Sequence, residues 1–227
     1  MALEVINQTD ARQTGSFIFL HGATRNGKWQ KEFFIDLLGE RASFKHIKII
    51  FPTSPKKKQW GTTDSEVNLW FSFGKRQKEQ EPPGYDLSEI REAAKSIQSI
   101  ISEEQKNGIP LNRIIIGGIS QGGIVALNGV TGFYPDVAGC IAASAVFAHD
   151  ETALEDVKKR SKNPPILATH GKKDPVIPLK MATQTYEILK EVGMDVEFHE
   201  FPDAEHELTK DELEVILKWV ETRIPES

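Results

Sequence analysis

An α/β domain, with a mostly parallel central sheet and helices on both faces, is the fold class this sequence predicts. Two observations carry it. Short runs of β-branched and aromatic residues alternate with amphipathic stretches along most of the chain, and strand–helix repetition of that kind builds parallel sheets. The run Arg113-Ile-Ile-Ile116 also lacks the polar alternation of a half-exposed strand, so both of its faces should be buried. With 227 residues, 39% hydrophobic, the chain has enough apolar material for one large core.

Ser16-Phe-Ile-Phe-Leu20 reads as a buried strand. Lys28 to about Gly39 is helical, with Phe33, Phe34, Leu37 and Leu38 on one side. Ile47-Lys-Ile-Ile-Phe51 is the second strand. From Leu87 to about Gln105 runs one helix whose apolar positions Ile90, Ala94, Ile97 and Ile101 recur at three- and four-residue steps. The strand at Arg113–Ile116 leads into a helix from about Gly122 to Gly132. Val137 to Ala143 and Pro165 to Thr169 are strands, and His149 precedes a further helix. Leu179 to Val192 is helical and stops at Gly193, a C-cap signal. Asp195 to Phe201 is the last strand. The last helix, Lys210 to Arg223, puts Leu213, Ile216, Leu217 and Val220 on one face.

Pro52 to about Gly84 breaks the alternation. It holds four prolines, the basic clusters Lys56–Lys58 and Lys75-Arg76, and the tryptophans Trp60 and Trp70. A connection this long is usually functional or disordered, and the tryptophans argue against disorder. A flap over a pocket and a solvated excursion with its own small cluster both fit. The whole chain, 1–227, is expected to form one domain carrying this excursion.

Composition excludes several functions. The net charge of −5 offers no basic face for nucleic acid. No stretch approaches the roughly 20 apolar residues of a membrane-spanning helix. The first ten residues have neither the basic start nor the apolar core of a signal peptide, so cytoplasmic residence is the default expectation. The single cysteine, Cys140, rules out an internal disulfide and reads as a small buried hydrophobe. No metal-ligand pattern is present, and no metal or cofactor is expected. Oligomeric state stays open.

Gly118-Ile-Ser120-Gln-Gly122 is G-x-S-x-G, directly after a buried strand and directly before a helix. In that context a sharp turn presents the serine hydroxyl, and the helix aims its positive end at the site. A serine is a weak nucleophile until a base sits beside it, oriented by an acid. In this arrangement the order is Ser, acid, His. His206, in the loop between the last strand and the last helix, is the base. His170 ends a strand and reads as a structural residue shaping the acid loop, and His199 lies within a strand pattern. Asp174, in the loop after Pro165–Thr169, is the acid; Asp203 is too close in sequence to His206 to be placed independently. The oxyanion donors should be the N–H groups of Gln121, which follows the nucleophile, and Ala23, in the loop after an early strand. Gly22 to Lys28 matches G-x-x-x-x-G-K, but Trp29 stands where a phosphate-binding loop needs Ser or Thr.

Phe19-Leu-His-Gly22, Lys48-Ile-Ile-Phe-Pro-Thr-Ser-Pro55, Leu69-Trp-Phe71, Gly117-Gly-Ile-Ser-Gln-Gly-Gly123, His170-Gly-Lys-Lys-Asp-Pro-Val-Ile-Pro178 and Glu205-His206 come in the order seen in acyl-protein thioesterases. The chain resembles that family, which also contains lysophospholipases and carboxylesterases. Phe44 to Pro52 and Phe198 to Lys210 resemble the lysophospholipase-like branch. The likeness runs from about Ser16 to Pro225. It implies an α/β-hydrolase fold, no cofactor, catalytic roles on Ser120, Asp174 and His206, and oxyanion N–H groups on Ala23 and Gln121. The expected pocket residues are His21, Gly22, Trp70, Phe71 and Val176.

Three departures stand out. Ala23-Thr-Arg-Asn-Gly27 replaces the family's Leu-Gly-Asp, Ser72 stands where an Asp is usual, and the excursion lacks an apolar stripe for a long acyl chain. A long chain needs an apolar tunnel, at about 0.8 kcal/mol per methylene. The expectation is therefore a serine carboxylesterase cleaving small esters or thioesters with short or medium acyl groups. Long-chain substrates, either acylated protein or lysophospholipid, are the alternative. A non-catalytic binding scaffold is the rival of another class, and its sign would be a missing triad member.

Overall fold

A computed structural model describes residues 1–10, 12–58, 65–73 and 84–226. The chain opens with strand β1 (Leu3–Ile6), then β2 (Gly15–Leu20), helix α1 (Gly27–Leu38) and β3 (Ile47–Pro52). Short strands β4 (Lys56–Lys58) and β5 (Glu66–Asn68) pair with each other as an antiparallel hairpin. Helices α2 (Leu87–Ser96) and α3 (Gln98–Lys106) follow, then β6 (Ile114–Ile119), α4 (Gln121–Gly132), β7 (Gly139–Ala143) and α5 (Glu151–Lys159). The chain ends with β8 (Ile166–Gly171), α6 (Leu179–Glu191), β9 (Val196–Phe201) and α7 (Lys210–Arg223).

The seven-stranded sheet has the order β1-β3-β2-β6-β7-β8-β9. All its pairings are parallel except that of β1, which lies antiparallel on β3. Every residue of β2 and β6 is buried, as the unalternating apolar runs predict. The pleat sends successive side chains to opposite faces, so one strand feeds two cores. Ile18, Leu20, Ile114 and Ile116 pack under α2 to α6, with Ile90, Ile101, Leu127, Val157 and Tyr186. Phe17, Phe19, Ile115 and Ile119 pack on the other face under α1 and α7, with Phe34, Leu213, Trp219 and Val220.

Several boundaries differ from the sequence reading. The expected helix from Leu87 to Gln105 is two segments, because the Ile97 N–H turns back to Ala94 O (3.2 Å) and tightens the helix there. Strand β1 has only four residues, too few to show a period, and it is made by its pairing with β3. The strand expected from Val137 begins at Gly139.

The basic run Lys56–Lys58 forms one side of the hairpin, with Lys57 paired to Glu89 at 2.6 Å. Leu69, Trp70 and Phe71 then return into the core. Trp60, Lys75, Arg76, Pro82 and Pro83 lie outside the described residues. Among the described residues no helix is long and apolar enough to cross a membrane.

Candidate active site

From the adjacent carboxyl ends of β2 and β6 the chain departs in opposite directions. β2 leads through α1 to β3 on one side, and β6 leads through α4 to β7 on the other. Such a switch point leaves a crevice outside the strand ends, where ligands bind in open α/β sheets.

Ser120 sits there, in the turn between β6 and α4. Its backbone has φ 53° and ψ −120°, a left-handed conformation that residues with a Cβ rarely adopt. Holding it costs roughly 1–3 kcal/mol, which the surroundings must supply. The Ser120 N–H donates to Ala143 O at 2.9 Å, and the Ile124 N–H donates to Ser120 O at 3.0 Å. Gly122 allows the close approach, since a Cβ there would stand 2.3 Å from the Leu20 carbonyl oxygen. The first turn of α4 therefore rests on the end of β2, and Gly22 and Ala23 come to face Ser120. A Cβ on Gly22 would lie only 3.7 Å from that of Ser120.

Asp174 and His206 arrive on the loops after β8 and β9. Gly171, at the end of β8, would with a Cβ meet the carbonyl oxygens of Ala204 and Glu205 at 2.3 Å. The Lys173 N–H also donates to Ala204 O at 3.0 Å, so the two loops are seated on one another. His206 then donates from Nδ1–H to Asp174 Oδ2 at 2.8 Å, and its Nε2 accepts from the Ser120 hydroxyl at 2.9 Å. Asp174 Oδ1 accepts the N–H groups of Val176 and Ile177 at 2.8 and 2.9 Å. Burial pushes the Asp174 carboxyl up. The His206 hydrogen bond, the two backbone donors and the His206 charge outweigh burial and hold it below its ordinary value. Asp174 is thus an anion at neutral pH, with both oxygens committed.

His170 is buried and donates from Nε2–H to Ile177 O at 2.8 Å. Burial holds it below its ordinary pKa, so it braces the Asp174 loop as a neutral ring. Asp203 lies at the surface, paired with Lys173 at 2.7 Å. His199 pairs with Glu197 at 2.6 Å on the outer strand β9. Cys140 is fully buried in β7, and burial pushes its thiol up. The Gly22–Lys28 stretch does ordinary structural work: Asn26 caps α1 by accepting the Trp29 N–H at 2.8 Å.

Among the described residues, neither the Ala23 nor the Gln121 N–H meets an acceptor. Ala23 shares one cavity of about 250 Å³ with Ser120 and His206. Gly22 and Val176 line that cavity too, and Val176 stands half exposed at its rim. His21, Trp70 and Phe71 do not line it; they form the layer behind it. His21 is fully buried, and its Nε2 accepts the Ser54 N–H at 3.0 Å. Its Nδ1 therefore carries the proton and donates to Gly22 O at 2.6 Å. Burial drives the ring down to about 4, the carbonyl contact opposing that fall, so it stays neutral. Trp70 donates its indole N–H to His21 O at 2.9 Å and packs against the His21 ring, tilted 35° to it with 5.1 Å between centroids. These apolar rings are drawn inward because the end of β2 and the segment after β5 close the core together.

Sequence reasoning missed two groups. The Gln121 side chain accepts the Trp70 N–H at 2.8 Å and donates to Phe71 O at 2.6 Å, pinning this segment beneath the site. The other group completes the cavity: Thr24, Arg25, Trp29, Gln30, Phe73, Ile119 and Glu207. Arg25 crosses the mouth to Glu207 at 3.2 Å and lies over the Trp29 ring at 4.2 Å from its centroid. One signal was available. Gln30 is a polar residue in phase with the apolar positions Phe34 and Leu38 of α1.

The family model described as Phospholipase/Carboxylesterase matches residues 1–224. Lysophospholipase-like protein 1 of Mus musculus is 33% identical over 215 residues, covering 94% of this chain and 89% of that protein. Acyl-protein thioesterase 1 of Neurospora crassa is 30% identical, covering 95% of this chain and 89% of its own length. Among solved structures, acyl-protein thioesterase 2 of Zea mays superposes with a TM-score of 0.81 at 20% identity, over 98% of this chain and 99% of that one. SOBER1 of Arabidopsis thaliana gives 0.80 at 23% identity, over 93% and 99%.

Proposed function

Because the chain belongs to the phospholipase/carboxylesterase family, whose members are serine hydrolases of ester and thioester bonds, we propose that Ser120, His206 and Asp174 carry that reaction here. The observation behind the proposal is the unbroken hydrogen-bond chain Asp174–His206–Ser120, at 2.8 and 2.9 Å, opening onto a cavity.

The steps follow from the geometry. His206 Nε2 takes the Ser120 proton as Oγ attacks the acyl carbonyl. The ionised Asp174 fixes the tautomer of the neutral His206 ring and steadies the imidazolium that forms. Charge developing on the carbonyl oxygen meets the N–H groups of Ala23 and Gln121, worth about 3 kcal/mol per donor in such sites. Collapse of the tetrahedral species returns the proton from His206 to the departing alcohol or thiol and leaves an acyl ester on Ser120. Water, deprotonated by His206, attacks that ester. The second collapse releases the carboxylic acid and restores the serine.

The cavity favours short or medium acyl groups. Its apolar walls among the described residues are Trp29, Phe73, Ile119 and Val176. A long chain gains about 0.8 kcal/mol per methylene only where apolar wall continues along it. Acylated proteins and lysophospholipids, the substrates that the relatives' names suggest, are then handled by their head near the scissile bond.

Labelling with a fluorophosphonate probe, located by peptide mass spectrometry, tests the proposal. Wild type should label on Ser120 and hydrolyse p-nitrophenyl butyrate, and Ser120→Ala should do neither while keeping its fold. Full turnover by folded Ser120→Ala would sink the assignment.

A further inference from the structure

Among the described residues that line the Ser120 cavity, Arg25 is the only lysine or arginine, and its side chain is 43% exposed. The guanidinium has one acceptor among the described residues, Glu207, reached by Nη2 at 3.2 Å. That carboxylate is 56% exposed, and a pair as wet as this contributes little. The guanidinium is nevertheless held in place. It lies 4.2 Å from the Trp29 ring centroid, and Trp29 is itself stacked on Phe33 at 4.9 Å. Contact with a ring face fixes the group without using its N–H donors. The chain also turns tightly here: the Arg25 N–H donates to Gly22 O at 3.3 Å, and Thr24 sits at φ 67°. A β-branched residue rarely adopts that left-handed conformation, and the Thr24 N–H supports it by donating to Asn68 O at 2.9 Å. In acyl-protein thioesterases the stretch after His-Gly reads Leu-Gly-Asp, so Arg25 reverses a charge at the mouth of the cavity.

We infer that Arg25 reads a carboxylate or phosphate on the alcohol or thiol that leaves, so that this chain selects acyl esters with an anionic leaving group. The inference rests on the hydrolase reading above and narrows its substrate class. The side follows from the contacts. Arg25 reaches Glu207, the residue after His206, and His206 must hand its proton to the departing group. The guanidinium thus stands beside the leaving group rather than along the acyl chain. A carboxylate or phosphate can offer two oxygens to the guanidinium fork, whereas Glu207 engages a single nitrogen at 3.2 Å. An anion held inside the cavity, with less water around it, displaces that exposed contact and leaves Glu207 to solvent.

Two matched ester pairs with one acyl group test it, and they tell the two anions apart. O-butyrylglycolate against O-butyrylglycolamide probes a carboxylate. 1-Butyrylglycerol 3-phosphate against 1-butyrylglycerol probes a phosphate. Wild type should favour the anionic member of at least one pair by about tenfold in kcat/KM, the scale of one hydrogen bond to a charged group. Arg25→Gln should bring that ratio close to one, and Arg25→Lys should restore part of it. Glu207→Gln, which frees the guanidinium, should raise it. No anionic preference in wild type for either pair would overturn the inference, whether or not the variants fold. So would a folded Arg25→Gln that slows both members of a pair alike, since Arg25 would then only brace its loop. Fluorophosphonate labelling of Ser120 in the same samples keeps the two readings separate: label with no anionic preference removes this inference and leaves the hydrolase.

Discussion

Protonating His21 should loosen the protein from the loop after β2 outward. The ring is fully buried, accepts the Ser54 N–H and donates to Gly22 O. Its pKa falls from 6.5 to about 4 because burial disfavours the charged form. The unfolded chain therefore binds this proton before the native protein does. Stability from this group is complete above pH 6.5 and is lost as pH falls toward 4. At pH 4.5 the unfolded ring is almost wholly protonated while the native ring is mostly neutral. Linkage then assigns a loss of about 2–3 kcal/mol between pH 7.5 and 4.5. His21→Gln keeps an acceptor for Ser54 and removes the titration. Urea unfolding followed by tryptophan fluorescence at both pH values is the assay. The variant should start about 1 kcal/mol less stable at pH 7.5, having lost the Gly22 contact. Its further fall on acidification should be about 2–3 kcal/mol smaller than that of wild type. Parallel falls, within about 0.5 kcal/mol, would refute the claim that a neutral His21 holds this loop.

Other perturbations probe the acid and the far side of the sheet. Asp174→Asn keeps the shape but presents an amide to His206 Nδ1, which misdirects the tautomer. kcat on p-nitrophenyl butyrate should drop about 10³- to 10⁴-fold with the fold intact, and a loss under tenfold would remove Asp174 from its role. At the amino-terminal edge of the sheet, Glu104 is 3% exposed and accepts from Lys48 at 2.6 Å, Ser16 Oγ at 2.6 Å and Gln13 Nε2 at 2.8 Å. Glu104→Ala would strand these partners and should cost about 3–5 kcal/mol, read as a lower urea midpoint at unchanged slope. An unshifted midpoint would mean that water replaces the carboxylate at no cost.

Much of this molecule was decided locally. Strands buried on both faces announce themselves as unbroken apolar runs, as β2 and β6 do. Ser120 was legible because a strand, a glycine-flanked serine and a helix in succession leave the backbone little choice. His206 and Asp174 followed from their places in loops after strands. The helix break at Ile97 and the four-residue β1 left no periodic trace, since one depends on a single tightened turn and the other on its neighbour β3.

The sequence by itself determined how strands and helices alternate, the serine proposed as nucleophile and the loops that bear Asp174 and His206, because each rests on nearest-neighbour chemistry and hydrophobic period. Only the tertiary structure decided which side chains face the cavity. His21, Trp70 and Phe71 adjoin the site in sequence yet turn away from it, because aromatic rings gain more from burial against one another than from a wet cleft. Arg25, in the loop before α1, and Gln30, on α1, are unremarked in the sequence and line the cavity because the start of α1 is seated on β3, where a Cβ on Gly27 would stand 2.2 Å from Phe51 O. Which face of an element meets a given loop depends on how distant segments pack, and no local pattern of residues encodes it.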